Sequence, residues 1–237
     1  MTEQNLWVVK YHPQNLNDFI GNSDLKKKVE GYIEGFESLP HLLFHGKPGT
    51  GKTTLANLIA YGIDAEVLEI NGSEETGIEV IRNRVIPFMS SIGFRKAKIV
   101  FIDEFDHESE NSQAALKVPM EKSSTRLILA ANDFNKIDGA ITSRCHTFPV
   151  VPPSKTEVSD RLIQILKKEK VEFSDYAVET IIETHFPDIR RIINTAQKQV
   201  INGVLKDQKL VLRSYLTNCA SLRTRPGFRG GSKTPHG

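Results

Sequence analysis

Five short apolar runs recur through the first 150 residues: HLLFH (41–45), EVLEI (66–70), KIVFI (98–102), RLILAA (126–131) and HTFPV (146–150). Each is strand-sized, and the first is closed by glycine and proline. Between them the apolar positions change step. Leu55, Leu58 and Ile59, and then Val80, Ile81, Val85 and Phe88, follow the three- and four-residue spacing of an amphipathic helix. Strands alternating with helices predict an α/β domain: a five-stranded parallel sheet with helices on both faces, over residues 1–151.

After Val150 the pattern changes. Pro152 and Pro153 break the chain, and Ser154 with Glu157 has the spacing of a capping box, which starts a helix striped by Val158, Leu162, Ile165 and Leu166. A second helix is predicted from Asp175 to about Thr184. A third follows Pro187, with Ile189, Ile192, Ile193, Ala196 and Val200 on one face, and is ended by Asn202-Gly203. Residues 152–205 therefore read as a small helical domain. From 206 to 237 the chain is rich in Gly, Pro and basic residues with little to bury, and is expected to be disordered.

Composition narrows the class. At 39% hydrophobic and 25% charged, with net charge +2, the chain has the make-up of a soluble protein, and no apolar run is long enough to cross a bilayer. The segment 1–11 lacks the apolar centre of a signal peptide, so a cytosolic setting is expected. Cys145 and Cys219 are too few for a disulfide framework or a thiolate zinc site, and no structural metal is expected. From Arg213 onward the tail has cations but no acid. A solvated tail and weak binding to a phosphate backbone are both open readings.

The strongest chemical signal is GKPGTGKT, Gly46 to Thr53, which fits G-x-x-x-x-G-K-[ST] between a predicted strand and a predicted helix. Glycines let backbone N–H groups turn inward around a phosphate chain, Lys52 neutralises phosphate oxygens and Thr53 can hold Mg²⁺. A chance glycine-rich turn is the alternative, and the strand–helix context argues against it. In KIVFIDEFD the strand ends in Asp103-Glu104, where one acid can hold a Mg²⁺ shell and its neighbour can orient an attacking water. A solvated acidic turn would look the same in isolation. Asn132 ends another strand and could reach a terminal phosphate, or simply terminate the strand. Arg144 and Arg190 are by themselves ordinary surface arginines.

Taken in order, these motifs resemble the AAA+ ATPase subunits of sliding-clamp loaders: the small subunits of replication factor C and, more closely, their T-even phage counterpart. The resemblance runs from WVVKYHP through LNDFIG, PHLLFHGKPGTGKTT, INGSEETGIEVIRN, KIVFIDEFD, SQAALKVPMEK, TRLILAAND, ITSRC and FPDIRRIIN to about Gly203. SRC and the segment beginning INGS are far more specific than the phosphate loop. The resemblance implies that Val8, Val9, Lys10, Tyr11 and Ile20 enclose adenine, and that Gly49, Thr50, Gly51, Lys52, Thr53 and Thr54 cradle the phosphates of ATP. It makes Thr53 and Asp103 the Mg²⁺ residues, Glu104 the water-polarising acid, Asn132 the first sensor and Arg190 the second. Arg144 becomes an arginine finger acting in trans on a neighbour's ATP. Arg82 and Arg84, in a helix starting near Gly77 with N–H groups available for phosphate, become DNA contacts. Other loader subunits, the ring clamp and primer-template DNA are the implied partners. A viral replication setting is implied too, which would place the chain in host-cell cytoplasm.

The sequence departs from that family in four places. His12 stands where the family has arginine, Thr76 where it often has a basic residue, and Pro119 interrupts the helix of SQAALKVPME, which it is expected to kink or break. The family's helical collar has no counterpart here, so truncation or a second chain is expected to account for it. Rival readings are another AAA+ DNA motor, such as a helicase loader or branch-migration ATPase, and a non-hydrolysing nucleotide-binding scaffold. A small-molecule kinase is more distant, since no acceptor contacts are identifiable.

Overall fold

The computed structural model describes residues 6–75 and 77–206. Thr76, Cys219 and nearly all of the basic tail lie outside the described residues.

Five strands form one parallel sheet: β1 (His41–His45), β2 (Ala65–Asn71), β3 (Ala97–Asp103), β4 (Arg126–Ala131) and β5 (Cys145–Pro149), in the order β2-β3-β4-β1-β5. The central strands carry apolar runs, over residues 42–44, 99–102 and 127–131, because helices cover both faces. Leu42, Phe44, Ile99, Phe101, Ile128 and Ala130 pack on α2 (Ser23–Glu34) and α3 (Lys52–Ile63). The alternate residues Leu43, Val100, Ile102, Leu127, Leu129 and Ala131 face the opposite helices. This is the fold class the hydrophobic pattern implies.

On that second face the chain from Ile78 to Ser90 is helical throughout, as α4 (Ile78–Val80), a π turn (Ile81–Val85) and α5 (Ile86–Ser90). The wider turn directly precedes Pro87, which has no N–H to give to the turn beneath it. Helix α6 (Glu110–Lys122) corrects one expectation, because it runs unbroken through Pro119. The proline sits near the helix end, so a single intrahelical bond is lost, and the Ser123 N–H still closes on the Pro119 carbonyl (3.0 Å). Leu116 and Met120, buried against the sheet, hold the helix across the gap. The short α7 (Gly139–Thr142) leads into β5.

The helical segment after the sheet, called the lid below, contains α8 (Lys155–Lys168), α9 (Asp175–His185) and α10 (Ile189–Gln199). The capping box is formed: Ser154 Oγ accepts from the Glu157 N–H (3.2 Å) and Glu157 Oε2 accepts from the Ser154 N–H (2.8 Å). The end of the third helix differs from the expectation. Val200 leaves the helix for β6 (Val200–Ile201), which pairs antiparallel with β7 (Val204–Leu205). Asn202 and Gly203 form the hairpin turn, both with positive φ (51° and 77°), as a two-residue turn of the primed type requires. Burying Leu205 in the lid core favours the hairpin over a simple stop.

The N-terminal segment packs with the lid. α1 (Trp7–Lys10) puts Trp7 into the cluster of Val158, Leu162, Ile182 and Ile192, with Tyr11 and Ile20 against it.

Candidate functional site

The phosphate-loop segment connects β1 to α3. Gly46 (φ 143°) and Gly51 (φ 99°) take backbone conformations closed to other residues. A Cβ at Gly46 would lie 2.6 Å from the Val150 carbonyl oxygen, and one at Gly51 would lie 2.6 Å from the Phe19 ring. The loop therefore keeps its curvature only as glycine.

Lys52, the first residue of α3, is buried, and its ammonium donates to the Gly46 carbonyl (2.8 Å), the Lys47 carbonyl (3.0 Å) and Asn132 Oδ1 (2.8 Å). Burial lowers its pKa, while Asp103, Asp106 and Glu104 act in the opposite direction. Since β4 lies between β3 and β1, the strand order brings Asn132 between the acidic strand end and the loop. Thr53 Oγ1 donates to Asp103 Oδ2 at 2.5 Å. The chain then turns through Glu104 in the left-handed region (φ 52°), whose N–H donates to Asp103 Oδ1 (2.9 Å). The Glu104 carboxylate accepts no hydrogen bond among the described residues.

A cleft of ≈ 590 Å³ lies between this cradle and the lid, within the ~300–1,000 Å³ usual for small-molecule sites. Its floor is Pro48 to Thr54, with Asp103, Glu104 and Asn132 beyond Lys52. Its lid side is Arg161, Asp188, Ile189, Arg190 and Ile193. Its third side is the N-terminal strap, with Val8, Val9, Tyr11 and His12, continued by Phe19 and Ile20. A polar cradle that opens onto an apolar wall fits a polyphosphate joined to a flat, poorly hydrated group. The oxygens of Thr53 and Asp103 are hard donors of the kind Mg²⁺ takes alongside phosphate and water.

Most of the residues singled out from sequence meet here, including Arg190, which is exposed and makes no ion pair among the described residues. Lys10 is a correction. It points out of the cleft and pairs with Glu169 (2.7 Å), because helical geometry turns it away from its neighbours Val8, Val9 and Tyr11. Arg144 also lies outside the cleft, held by Glu121 and by the Ala140 carbonyl (2.6 Å). Arg82 and Arg84 are half exposed on the π turn, paired with Glu79 (3.8 Å) and Glu75. Of the N–H groups expected to be free near Gly77, that of Gly77 itself donates to buried Glu108 (3.2 Å).

Sequence reading missed three contributors. Asp106, the last acid of FIDEFD, accepts from the N–H groups of Asn132 (2.9 Å) and Asp133 (3.2 Å), and so anchors the Asn132 turn. Asp188 caps α10 and touches the loop at Gly49. Arg161 lines the cleft from α8 with no motif to mark it. His12 Nε2 lies 3.2 Å from Thr54 Oγ1, at the seam between strap and cradle.

Residues 42–152 match the family described as ATPase family associated with various cellular activities (AAA). The replication factor C small subunit of Archaeoglobus fulgidus is 36% identical over 221 residues, covering 90% of this chain and 69% of that protein. The chain belongs to the replication factor C small-subunit family. The small subunit of Sulfolobus acidocaldarius is 39% identical over 206 residues, 83% of this chain. The chain spans 63% of that relative's length and 64% of the Sulfurisphaera tokodaii one. Among solved structures, the Thermotoga maritima RuvB Holliday junction branch migration motor superposes with a TM-score of 0.70 over 87% of this chain and 72% of its own. At 21% identity that likeness bears on the fold alone.

Proposed function

We propose that the chain binds Mg·ATP in this cleft and hydrolyses it as one subunit of a sliding-clamp loader, opening a ring clamp and placing it on primer-template DNA. One observation carries the reading. Lys52, Thr53, Asp103, Glu104 and Asn132 from the sheet domain and Arg190 from the lid converge on a single cleft, in a member of the replication factor C small-subunit family.

The chemistry follows from the residues. The loop N–H groups and Lys52 hold the phosphates, and the apolar strap and Ile20 take the base. Thr53 and Asp103 would hold Mg²⁺, which neutralises phosphate charge when bound. Glu104, a carboxylate that accepts no hydrogen bond among the described residues and lines the cleft, orients the attacking water, while Asn132 and Arg190 contact the terminal phosphate. Arg144 does not line the cleft of its own chain and is held by Glu121 and the Ala140 carbonyl, which supports a role for it on a neighbouring subunit's nucleotide. Assembly and turnover are thereby linked. Arg82 and Arg84 face solvent on a helix beside the sheet and supply phosphate-backbone contacts. The resemblance to the T-even phage subunit supports a viral replication setting in host-cell cytoplasm; among the described residues no helix is long and apolar enough to cross a membrane.

The test is phosphate release by the chain assembled with its partner subunits, clamp and DNA, for wild type and Glu104→Gln. Loss of turnover with retained ATP binding is expected. Undiminished turnover would instead assign the chain a scaffold role. Capture of the ring clamp in ATP but not in ADP separates clamp loading from other DNA motors.

A further inference from the structure

The wall of the cleft formed by Val8, Val9 and Tyr11 precedes the sheet domain in sequence, yet its attachments run to the lid. Trp7 is buried in the lid core, and its N–H donates to Gln197 on α10 (2.9 Å). Arg161 Nη2 donates to the Tyr11 carbonyl (3.0 Å). Glu169, the residue capping the C-terminus of α8, accepts from both the Tyr11 hydroxyl (2.7 Å) and the Lys10 ammonium (2.7 Å) through one oxygen. Arg161 and Glu169, about two turns apart along α8, grip Tyr11 by its backbone and its side-chain tip.

Glu169 does not line the cleft. Its two bonds hold the Lys10 ammonium and the Tyr11 hydroxyl from outside the cleft. Lys168 and Lys10 both place their ammonium groups near that ring, 5.8 Å and 5.4 Å from its centre. Toward the sheet domain, the strap's contact at this point is His12 with Thr54. The base wall is thereby tied to the lid, whereas the phosphate cradle belongs to the sheet domain, which the strap meets again through His12 and Phe19.

We propose that Glu169 is a positioning residue for the base-binding wall: by tying Lys10 and Tyr11 to the end of α8, it sets the affinity for the base half of a nucleotide and leaves the phosphate half untouched. The inference rests on the reading of the cleft as a nucleotide site. It predicts a split that a bond serving overall stability alone would not produce. Ligands that fill both halves depend on Glu169, and ligands that fill only the cradle do not.

The experiment is calorimetric titration of the full chain with ADP and, separately, with inorganic pyrophosphate, both with Mg²⁺. Glu169→Ala is expected to weaken ADP about tenfold, the order for losing charged hydrogen bonds, and pyrophosphate by less than about twofold. Glu169→Gln, whose amide oxygen still accepts, is expected to recover most of the loss. Tyr11→Phe deletes one oxygen and keeps the comparison available should Glu169→Ala fail to fold; it is expected to lower ADP affinity by a smaller factor. Equal weakening of both ligands, or an unchanged ratio of ADP to pyrophosphate affinity in Tyr11→Phe, overturns the proposal. Failure of the wild-type chain to bind ADP overturns the nucleotide reading along with it, whereas ADP binding that is indifferent to Glu169→Ala overturns this inference alone.

Discussion

Thr53 and Asp103, fifty residues apart in sequence, share a 2.5 Å hydrogen bond that joins the start of α3 to the end of β3. The contact holds two hard oxygen donors beside the phosphate loop. Asp103→Asn keeps the shape but removes the charge. Mg²⁺-dependent ATP turnover by the assembled complex is expected to fall by at least about a hundredfold, with a weaker response of nucleotide affinity to added Mg²⁺. Chelation of Mg²⁺ is expected to bring wild type to the same level, as a phosphate-release assay would show.

Gly46 cannot take a side chain without meeting the Val150 carbonyl. Gly46→Ala is expected to cost about 1–3 kcal/mol, the usual range for a residue forced into a disfavoured backbone region, and to move the phosphate loop. Denaturant midpoints measure the first effect and ADP titration the second; a variant matching wild type in both would contradict the geometry.

Arg144 sits outside its own cleft, bound to Glu121. With Arg144→Ala, nucleotide binding by the isolated chain is expected to stay as in wild type. Turnover by the assembled complex is expected to drop by ~10³, the lower end for a catalytic arginine supplied in trans. Equal turnover by monomer and complex would remove the link between assembly and chemistry.

His41 lies buried in β1 with a defined proton. Its Nδ1 accepts from the Leu127 N–H (2.9 Å), so Nε2 carries the hydrogen given to the Met120 carbonyl (2.9 Å). Burial lowers its pKa from 6.5; the Met120 bond acts against this and nearby Arg126 adds to it. As pH falls below 6.5 the unfolded chain takes the proton before the folded one. The stability fully present above that value is then lost toward the depressed folded pKa. Urea midpoints are expected to fall between pH 7 and pH 5, with a shallower decline in His41→Gln.

Arg82 and Arg84 are each held by a glutamate. Replacing either with alanine is expected to weaken primer-template binding by the assembled complex across all sequences, and to reduce the slope of log affinity against log salt by about one. An unchanged slope would place the DNA elsewhere.

The sheet was legible because its three central strands are buried on both faces and so carry apolar runs, and because one of them feeds directly into a phosphate loop. The capping box was legible because two side chains at fixed spacing are enough to form it. What the sequence left hidden depends on distance in space. Asn202-Gly203 reads equally as a helix stop and as a hairpin turn, and only the burial of Leu205 decides between them. Pro119 reads as a helix breaker until Leu116 and Met120 are seen pressed against the sheet. Lys10 falls between residues that line the cleft, yet one turn of helix sends it to Glu169, whose partners lie 158 and 159 positions away.

The Lys52 ammonium is satisfied by two loop carbonyls and the Asn132 amide oxygen. A polyphosphate bound in the loop as proposed would compete with these partners for the ammonium, Asn132 Oδ1 among them. Such a substitution of partners would couple the filling of the loop to the Asn132 turn at the end of β4.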